Sequence, residues 1–266
     1  MNQLIPYKIP LKNGSFREGI IVKTATGLGD IAPLPGFSRE SLAEAAAEAE
    51  RLLPEFPHAK PQLPSVQFAF ACAQIPLTST KVAVNALNTY RLGFTAVKIK
   101  VGHLPLLDAI DLIQTFPKVE LRLDFNQQWS LEKLLEFSNY FNPTDFAYLE
   151  EPTKRFSDLM TFSKKTGFPI AVDESIPYVP YLEIPTLKAL VVKPTILGFI
   201  PEKPLGIDLI FSSAFESGVG VTHIAKLAAE KSPHRAHGLD PYTHLLDDVL
   251  KPKPKIEQGF FSWTAP

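Results

Sequence analysis

The sequence predicts an α/β fold: a closed (β/α) barrel across residues 65–240, with a smaller α+β capping domain at residues 1–64 that the tail 241–266 joins. Three observations predict it. From Ser65 onward, short apolar runs alternate with helical stretches, the pattern of parallel strands joined by βα crossovers. Eight such runs favour a closed barrel over an open sheet. No Gly-rich phosphate loop follows the first run, whereas an open doubly wound sheet usually shows one there.

The elements follow in order. Arg17–Thr24 alternates and is β-branched, so it reads as a strand, and Thr26–Asp30 supplies turn chemistry. Leu42–Leu53 is rich in Ala and Glu and reads as a helix, with Ser38 and Ser41 as alternative N-caps. Pro54–Pro64 reads as a linker. The apolar runs are Val66–Ala73, Ala96–Val101, Glu120–Phe125, Phe146–Leu149, Ile170–Val172, Ala189–Val192, Asp208–Phe211 and a weaker Ala236–Leu239. Helices are expected at Thr80–Leu92, Leu104–Phe116, Leu131–Tyr140, Phe156–Thr166 and Gly218–Ala229, with Gly93 and Gly167 at C-cap positions. The connection from Lys193 to Asp208 reads as short or irregular.

Composition narrows the function. Of 266 residues, 45% are hydrophobic and 21% charged, and the net charge is −1. Such a chain has no basic field to attract nucleic acid or an anionic membrane, so a small-molecule partner is expected. No apolar stretch approaches the ~20 residues that span a bilayer. The first residues have no long apolar segment of the secretory kind. A lone cysteine, Cys72, excludes an intrachain disulfide and reads as a small buried hydrophobe. A cytoplasmic protein, monomeric or a small homo-oligomer, is expected.

The chemistry stands where the runs end. Successive runs terminate in Lys98-Ile-Lys100, Asp124-Phe-Asn126, Glu150-Glu151-Pro152, Asp173-Glu174-Ser175, Lys193-Pro194 and Ser212-Ser213. Lys100, Asp124, Glu150, Asp173 and Lys193 lie roughly 20 to 26 residues apart, about one βα unit each. One carboxylate after a strand is usually a helix cap or a solvated loop residue. Six polar strand ends in register are not explained that way, because the C-terminal ends of barrel strands converge on one face, where active sites lie. Asp124, Glu150 and Asp173 are hard oxygen ligands that fit Mg²⁺; zinc is disfavoured because no His or Cys stands among them. Lys98 and Lys100 share a strand face, and Lys193 comes from across the barrel. Crowded buried lysines are expected to have depressed pKa values, which frees one as a base beside the metal. A lysine base beside Mg²⁺ suits removal of a proton next to a carboxylate, the metal holding the charge that develops.

These motifs, with Ala32–Ser38, Leu121–Asn126 and Trp129, Val192–Thr195, Ser212–Ser217 and Gly238-Leu-Asp240, resemble the enolase superfamily, muconate-lactonising subgroup, and within it the o-succinylbenzoate synthase family. The resemblance runs from about residue 30 to residue 240. Each motif alone is weak, and the ordered set is specific. It implies a modified TIM-type (β/α)7β barrel with an α+β capping domain. It further implies a Mg²⁺-dependent hydro-lyase, with Mn²⁺ as a substitute, that dehydrates 2-succinyl-6-hydroxy-2,4-cyclohexadiene-1-carboxylate to o-succinylbenzoate, a precursor of menaquinone or phylloquinone. On that resemblance Lys100 is the base, Lys98 tunes it, and Lys193 faces the opposite side of the ring. Asp124, Glu150 and Asp173 map to the metal ligands, and Asn126 to a supporting or substrate-positioning role. Ser212, Ser213 and Gly238 map to the loops holding the succinyl tail, and Pro33–Phe37 to the cap. Arg122 reads equally as a substrate contact or as a carboxylate's partner inside the barrel. Glu151, Glu174 and Glu216 read as structural, paired with lysines.

Two other functions are compatible with parts of this pattern. A racemase or epimerase of N-acylamino acids or dipeptides would use Lys100 and Lys193 as two bases. A barrel without catalysis, serving as a binding protein, would be expected to have lost a ligand or a lysine, and all are present. The short chain and the eroded sixth βα connection depart from the family pattern.

Overall fold

A computed structural model describes residues 2–266. The chain opens with three strands, β1 (Gln3–Pro10), β2 (Phe16–Lys23) and β3 (Leu28–Ile31), which form an antiparallel sheet in that order. Helix α1 (Leu42–Leu52) follows. Ser41 caps it: its hydroxyl accepts from the Glu44 N–H at 3.2 Å, and its own N–H donates to Glu44 Oε2 at 2.8 Å. This capping box decides between the two candidate serines. Ser38 instead accepts from the Leu34 N–H.

Two expectations fail next. Val66–Ala73 is not the first barrel strand but most of helix α2 (Pro64–Cys72) with its C-cap. An unbroken apolar run of this length fits a buried helix as well as a strand. Pro64 at the first turn and burial of Val66, Ala69, Phe70 and Ala73, at i, i+3, i+4 and i+7, show why the helix wins. These four pack in one core with Ile20, Val22, Ile31, Ala45, Ala49 and Leu52. β3 lies so close to α2 that a Cβ on Gly29 would overlap the Ala69 carbonyl. Thr80–Leu92, expected as a helix, contains strands β4 (Thr80–Ala83) and β5 (Ala86–Leu87). Val82 and Val84 are buried two residues apart, a strand period, and β4's partner comes from the far end of the chain. Gly93 has φ 90° but ends no helix.

The remaining βα units follow the expected order: β6 (Ala96–Lys100), α3 (Leu106–Gln114), β7 (Glu120–Asp124), α4 (Leu131–Phe137), β8 (Tyr148–Glu150), α5 (Phe156–Thr166), β9 (Ile170–Val172), β10 (Leu187–Val192), α6 (Pro194–Leu197), β11 (Asp208–Phe211) and α7 (Gly218–Lys231). α5 ends on Gly167 at φ 74°, a left-handed cap that glycine adopts without penalty. The irregular connection after Lys193 holds only the single turn α6. Strands β12 (Lys255–Glu257) and β13 (Phe260–Trp263) close the chain, and β13 pairs antiparallel with β4.

The chain forms two compact units, Met1–Val84 with Val192–Glu202 and Phe211–Pro266, and Asn85–Val191 with Lys203–Ile210. The parallel sheet has seven strands in the order β11-β10-β9-β8-β7-β6-β5. Its strands carry buried side chains on both faces, as parallel strands under helices must. Phe125, Trp129, Phe146 and Phe168 cluster around Phe137, the last residue of α4, in edge-on and tilted contacts with ring centroids 4.8–6.3 Å apart. The weak eighth run survives as two single bridges, His237 to Val84 and Gly238 to Ser212, both parallel. No helix among the described residues is long and apolar enough to cross a membrane.

Candidate active site

Strand register sets the site. Lys100 pairs with Asp124, Asp124 with Glu150, and Glu150 with Ala171, so one rung crosses four strands. Asp173 lies two residues beyond Ala171 and Lys98 two before Lys100. A period of two keeps these side chains on one face. Asp124, Glu150 and Asp173 are 2%, 1% and 4% exposed, which places all three carboxylates out of water.

Lys98 bridges two of them. Its ammonium lies 2.6 Å from Glu150 Oε1 and 3.0 Å from Asp124 Oδ2. Burial pulls the Lys98 pKa down, but Asp124, Glu150 and Asp173 outweigh it and hold the amine well above its ordinary range. The expected depressed lysine is therefore not Lys98: it is a fixed cation among anions rather than one of a crowd of cations. Lys100 differs in kind, being exposed. Asn88, at φ 59°, fastens both lysines' backbone: its N–H donates to the Lys98 carbonyl at 2.8 Å, and its Oδ1 accepts from the Lys100 N–H at 2.9 Å.

A supporting layer aims the carboxylates. The Asn126 N–H, at φ 45°, donates to Asp124 Oδ1 at 3.1 Å. Glu151, expected to meet a lysine, instead accepts from the N–H groups of Asp173 (2.8 Å) and Ser175 (2.9 Å), the Ser175 hydroxyl (2.7 Å) and Gln127 Nε2 (3.1 Å). Burial raises its carboxyl pKa against those bonds. Asn126, Gln127 and Glu151 all have positive φ, and such strain collects where a scaffold over-determines a site. Asn88 and Gln127 were not singled out in the sequence. Their signal was only an Asn or Gln near a strand end, which is common in loops.

Arg122 lies on the rung of Lys98 and Tyr148, one layer below the carboxylates. Its guanidinium is 1% exposed and bonds Glu120 Oε1 at 2.6 and 2.9 Å and Asn85 Oδ1 at 3.3 Å. The guanidinium thus pairs with a carboxylate on its own strand.

In the other unit, Lys193 follows β10 as the N-cap of α6 and is half-buried. The Ser212 hydroxyl donates to the Gly238 carbonyl at 3.2 Å, and a Cβ at Gly238 would come within 2.7 Å of that hydroxyl oxygen. The Ser213 hydroxyl donates to Glu216 at 2.7 Å, so Glu216 too serves a serine rather than a lysine. Arg17 is buried and donates to the carbonyls of Phe215 (3.0 Å), Pro33 (2.9 Å) and Ala32, tying the start of the Pro33–Phe37 loop to the Ser212–Ser217 segment. Asp30 accepts from the Ser217 N–H and hydroxyl and from Tyr7.

The oxygen-only donor set of Asp124, Glu150 and Asp173, on adjacent strands, fits a hard divalent cation. As they stand, no three Asp, Glu, His or Cys side chains among the described residues form a ligating group, and Lys98 holds two of the carboxylates.

The fold is the modified (β/α)7β barrel with an α+β capping domain of the enolase superfamily, and polar side chains stand at its strand ends. Residues 81–182 match the enolase C-terminal domain-like family, and residues 5–77 match the MenC N-terminal domain. The chain is 31% identical to the o-succinylbenzoate synthase of Klebsiella pneumoniae (strain 342), covering 96% of this chain and 95% of that protein. It is 32% identical to that of Yersinia pseudotuberculosis serotype I, over 94% and 93%. The chain belongs to the o-succinylbenzoate synthase family. Among solved structures, the Thermosynechococcus elongatus BP-1 o-succinylbenzoate synthase, complexed with Mg in its active site, superposes with a TM-score of 0.75 at 22% identity over 95% of this chain and 96% of that one. The L-Ala-D/L-Glu epimerase of Bacillus subtilis gives 0.81 at 17% identity over 98% and 95%, a likeness of fold alone.

Proposed function

We propose that this chain is a Mg²⁺-dependent hydro-lyase that converts 2-succinyl-6-hydroxy-2,4-cyclohexadiene-1-carboxylate to o-succinylbenzoate in quinone biosynthesis. The observation that carries the reading is the rung Lys100–Asp124–Glu150 with Lys98 bridging the two carboxylates, in a chain 31% identical to named synthases over nearly its whole length. Asp124, Glu150 and Asp173 would hold the ion, which when bound stabilises charge developing on the substrate carboxylate.

The chain's own residues do the rest. Lys100 removes the proton next to the carboxylate and returns a proton to the departing hydroxyl on the same face. One C–H and one C–O bond break, water leaves, and the ring becomes aromatic. Lys98 stays protonated and fixes Asp124 and Glu150. Lys193 supplies positive charge to the opposite face. Asn126 orients Asp124, Glu151 orients Asp173, and Ser212, Ser213 and Gly238 hold the succinyl tail. Arg122 braces the layer below rather than touching substrate.

The test follows loss of diene absorbance with purified protein and Mg²⁺. Turnover should vanish with EDTA and fall at least ~10³-fold in Lys100→Ala, the scale of a lost acid–base group. Absence of turnover in the wild-type protein sinks the synthase reading. Deuterium exchange at the α-carbon of N-succinylamino acids in D₂O would then point to the epimerase instead.

A further inference from the structure

The unit that contains α2 and α7 holds an apolar cavity of about 530 Å³ with no part in the reaction proposed above. That volume falls within the ~300–1,000 Å³ that small-molecule pockets fill. Phe68, Ile75, Phe199, Ile200 and Leu227 supply the apolar wall. Ile75 and Phe199, at 42% and 50% exposed, are large apolar side chains left in water beside it.

The polar lining is sparse: His223, Lys226 and Glu230, all on α7. His223 Nε2 is 2.8 Å from the Leu28 carbonyl, which can only accept, so that nitrogen carries the proton. Burial pushes the imidazole pKa down to about 4, leaving the ring neutral at pH 7. Lys226 follows three residues later, on the same helix face. It is half-buried, and its ammonium makes no hydrogen bond or ion pair among the described residues. Its field reaches both Cys72 on α2 and His223 on α7, the two walls of the cavity.

We propose that this cavity binds an apolar monocarboxylate, the chain lying on Phe68, Ile75, Phe199, Ile200 and Leu227 and the carboxylate on Lys226. A single cation matches a single anionic group. Glu230, one helical turn beyond Lys226, lies exposed at the rim of the same wall.

Decanoate is the probe, titrated calorimetrically into the full-length protein at pH 7.5 below its micellar concentration, beside decylamine. Decanoate should bind saturably at one site per chain, and decylamine at least tenfold more weakly. Lys226→Met should weaken decanoate about tenfold and abolish the preference over decylamine. Ala71→Trp, on the exposed side of α2 that lines the cavity, should remove binding. Excess o-succinylbenzoate should not displace decanoate. Lack of saturable binding overturns the proposal, as does binding that both substitutions leave unchanged. Displacement by o-succinylbenzoate would move the ligand to the reaction site and overturn it equally.

Discussion

At the scale of single residues, charge and burial decide what each titratable group does. Lys98 and His223 are both buried bases, yet they shift in opposite directions. Three carboxylates hold Lys98 protonated, whereas desolvation, aided by Lys226, pushes His223 down to about 4 against the Leu28 hydrogen bond. The His223 shift has a pH consequence. Between pH 6.5 and 4 the unfolded chain binds a proton at this site that the folded chain does not. Stability from His223 is therefore complete above pH 6.5 and is lost as pH falls towards 4, up to about 3 kcal/mol. Asp30 runs the other way in an overlapping window: burial raises its folded pKa from 3.8 to about 6, so its contribution is present at low pH and is lost as pH rises through 6. Only the difference between wild type and His223→Gln isolates the histidine, since glutamine can still donate to the Leu28 carbonyl. Urea midpoints from pH 7.5 to 4 should fall less steeply in the variant. Parallel curves would show that His223 is already protonated in the folded state.

At the scale of elements, period and partner distance explain which parts of the fold were legible. Ile170–Val172, Asp208–Phe211 and Phe156–Thr166 stand where the sequence places them, because their apolar period and flanking turn residues are local. The strand at residues 80–83 was not legible, since it exists through pairing with residues 260–263. α2 was misread because an unbroken apolar run carries no period, and its helical face shows only against the core it fills. The strand-end residues were legible from spacing, but Glu151 and Asn88 were not understood: their partners are backbone N–H and C=O groups, which every sequence contains. The α2 contact with β3 makes its own prediction. Gly29→Ala would drive a methyl into the Ala69 carbonyl, where backbone meets backbone and neither can give. A loss of about 3 kcal/mol is expected from such overpacking. Gly36→Ala, at φ 82° with open space around it, should lose only about 1 kcal/mol from strain. Equal melting temperatures for the two variants would mean that β3 and α2 can separate without penalty.

At the scale of the whole molecule, hydrogen bonds join the chain's far end to the proposed tail-binding segment. The Val84 N–H donates to the Gly259 carbonyl at 2.8 Å, the His237 N–H to Ala83 at 2.9 Å, and the Gly238 carbonyl accepts from the Ser213 N–H at 2.9 Å. The last strand thus supports β4, β4 leads into residues 83–84, and these hold residues 237–238 beside Ser212 and Ser213. Phe261 anchors this series: it is fully buried, pairs with Val82 and packs edge-on to Tyr242 at 6.3 Å. Phe261→Ala should cost about 3–5 kcal/mol, as large buried aromatics do. If the series transmits that loss, the amides of His237 and Gly238 should exchange with deuterium faster in the variant, while those of α5, which no bond in the series touches, should change only through global unfolding. Faster exchange at 237–238 below the denaturation threshold would mean that the C-terminal strand fixes the segment where the substrate's tail is proposed to bind. Unchanged exchange there, with global stability reduced, would mean that the bonds to Phe211, Ser212, Ser213 and Ser232 hold residues 237–238 without help from the C-terminal strand.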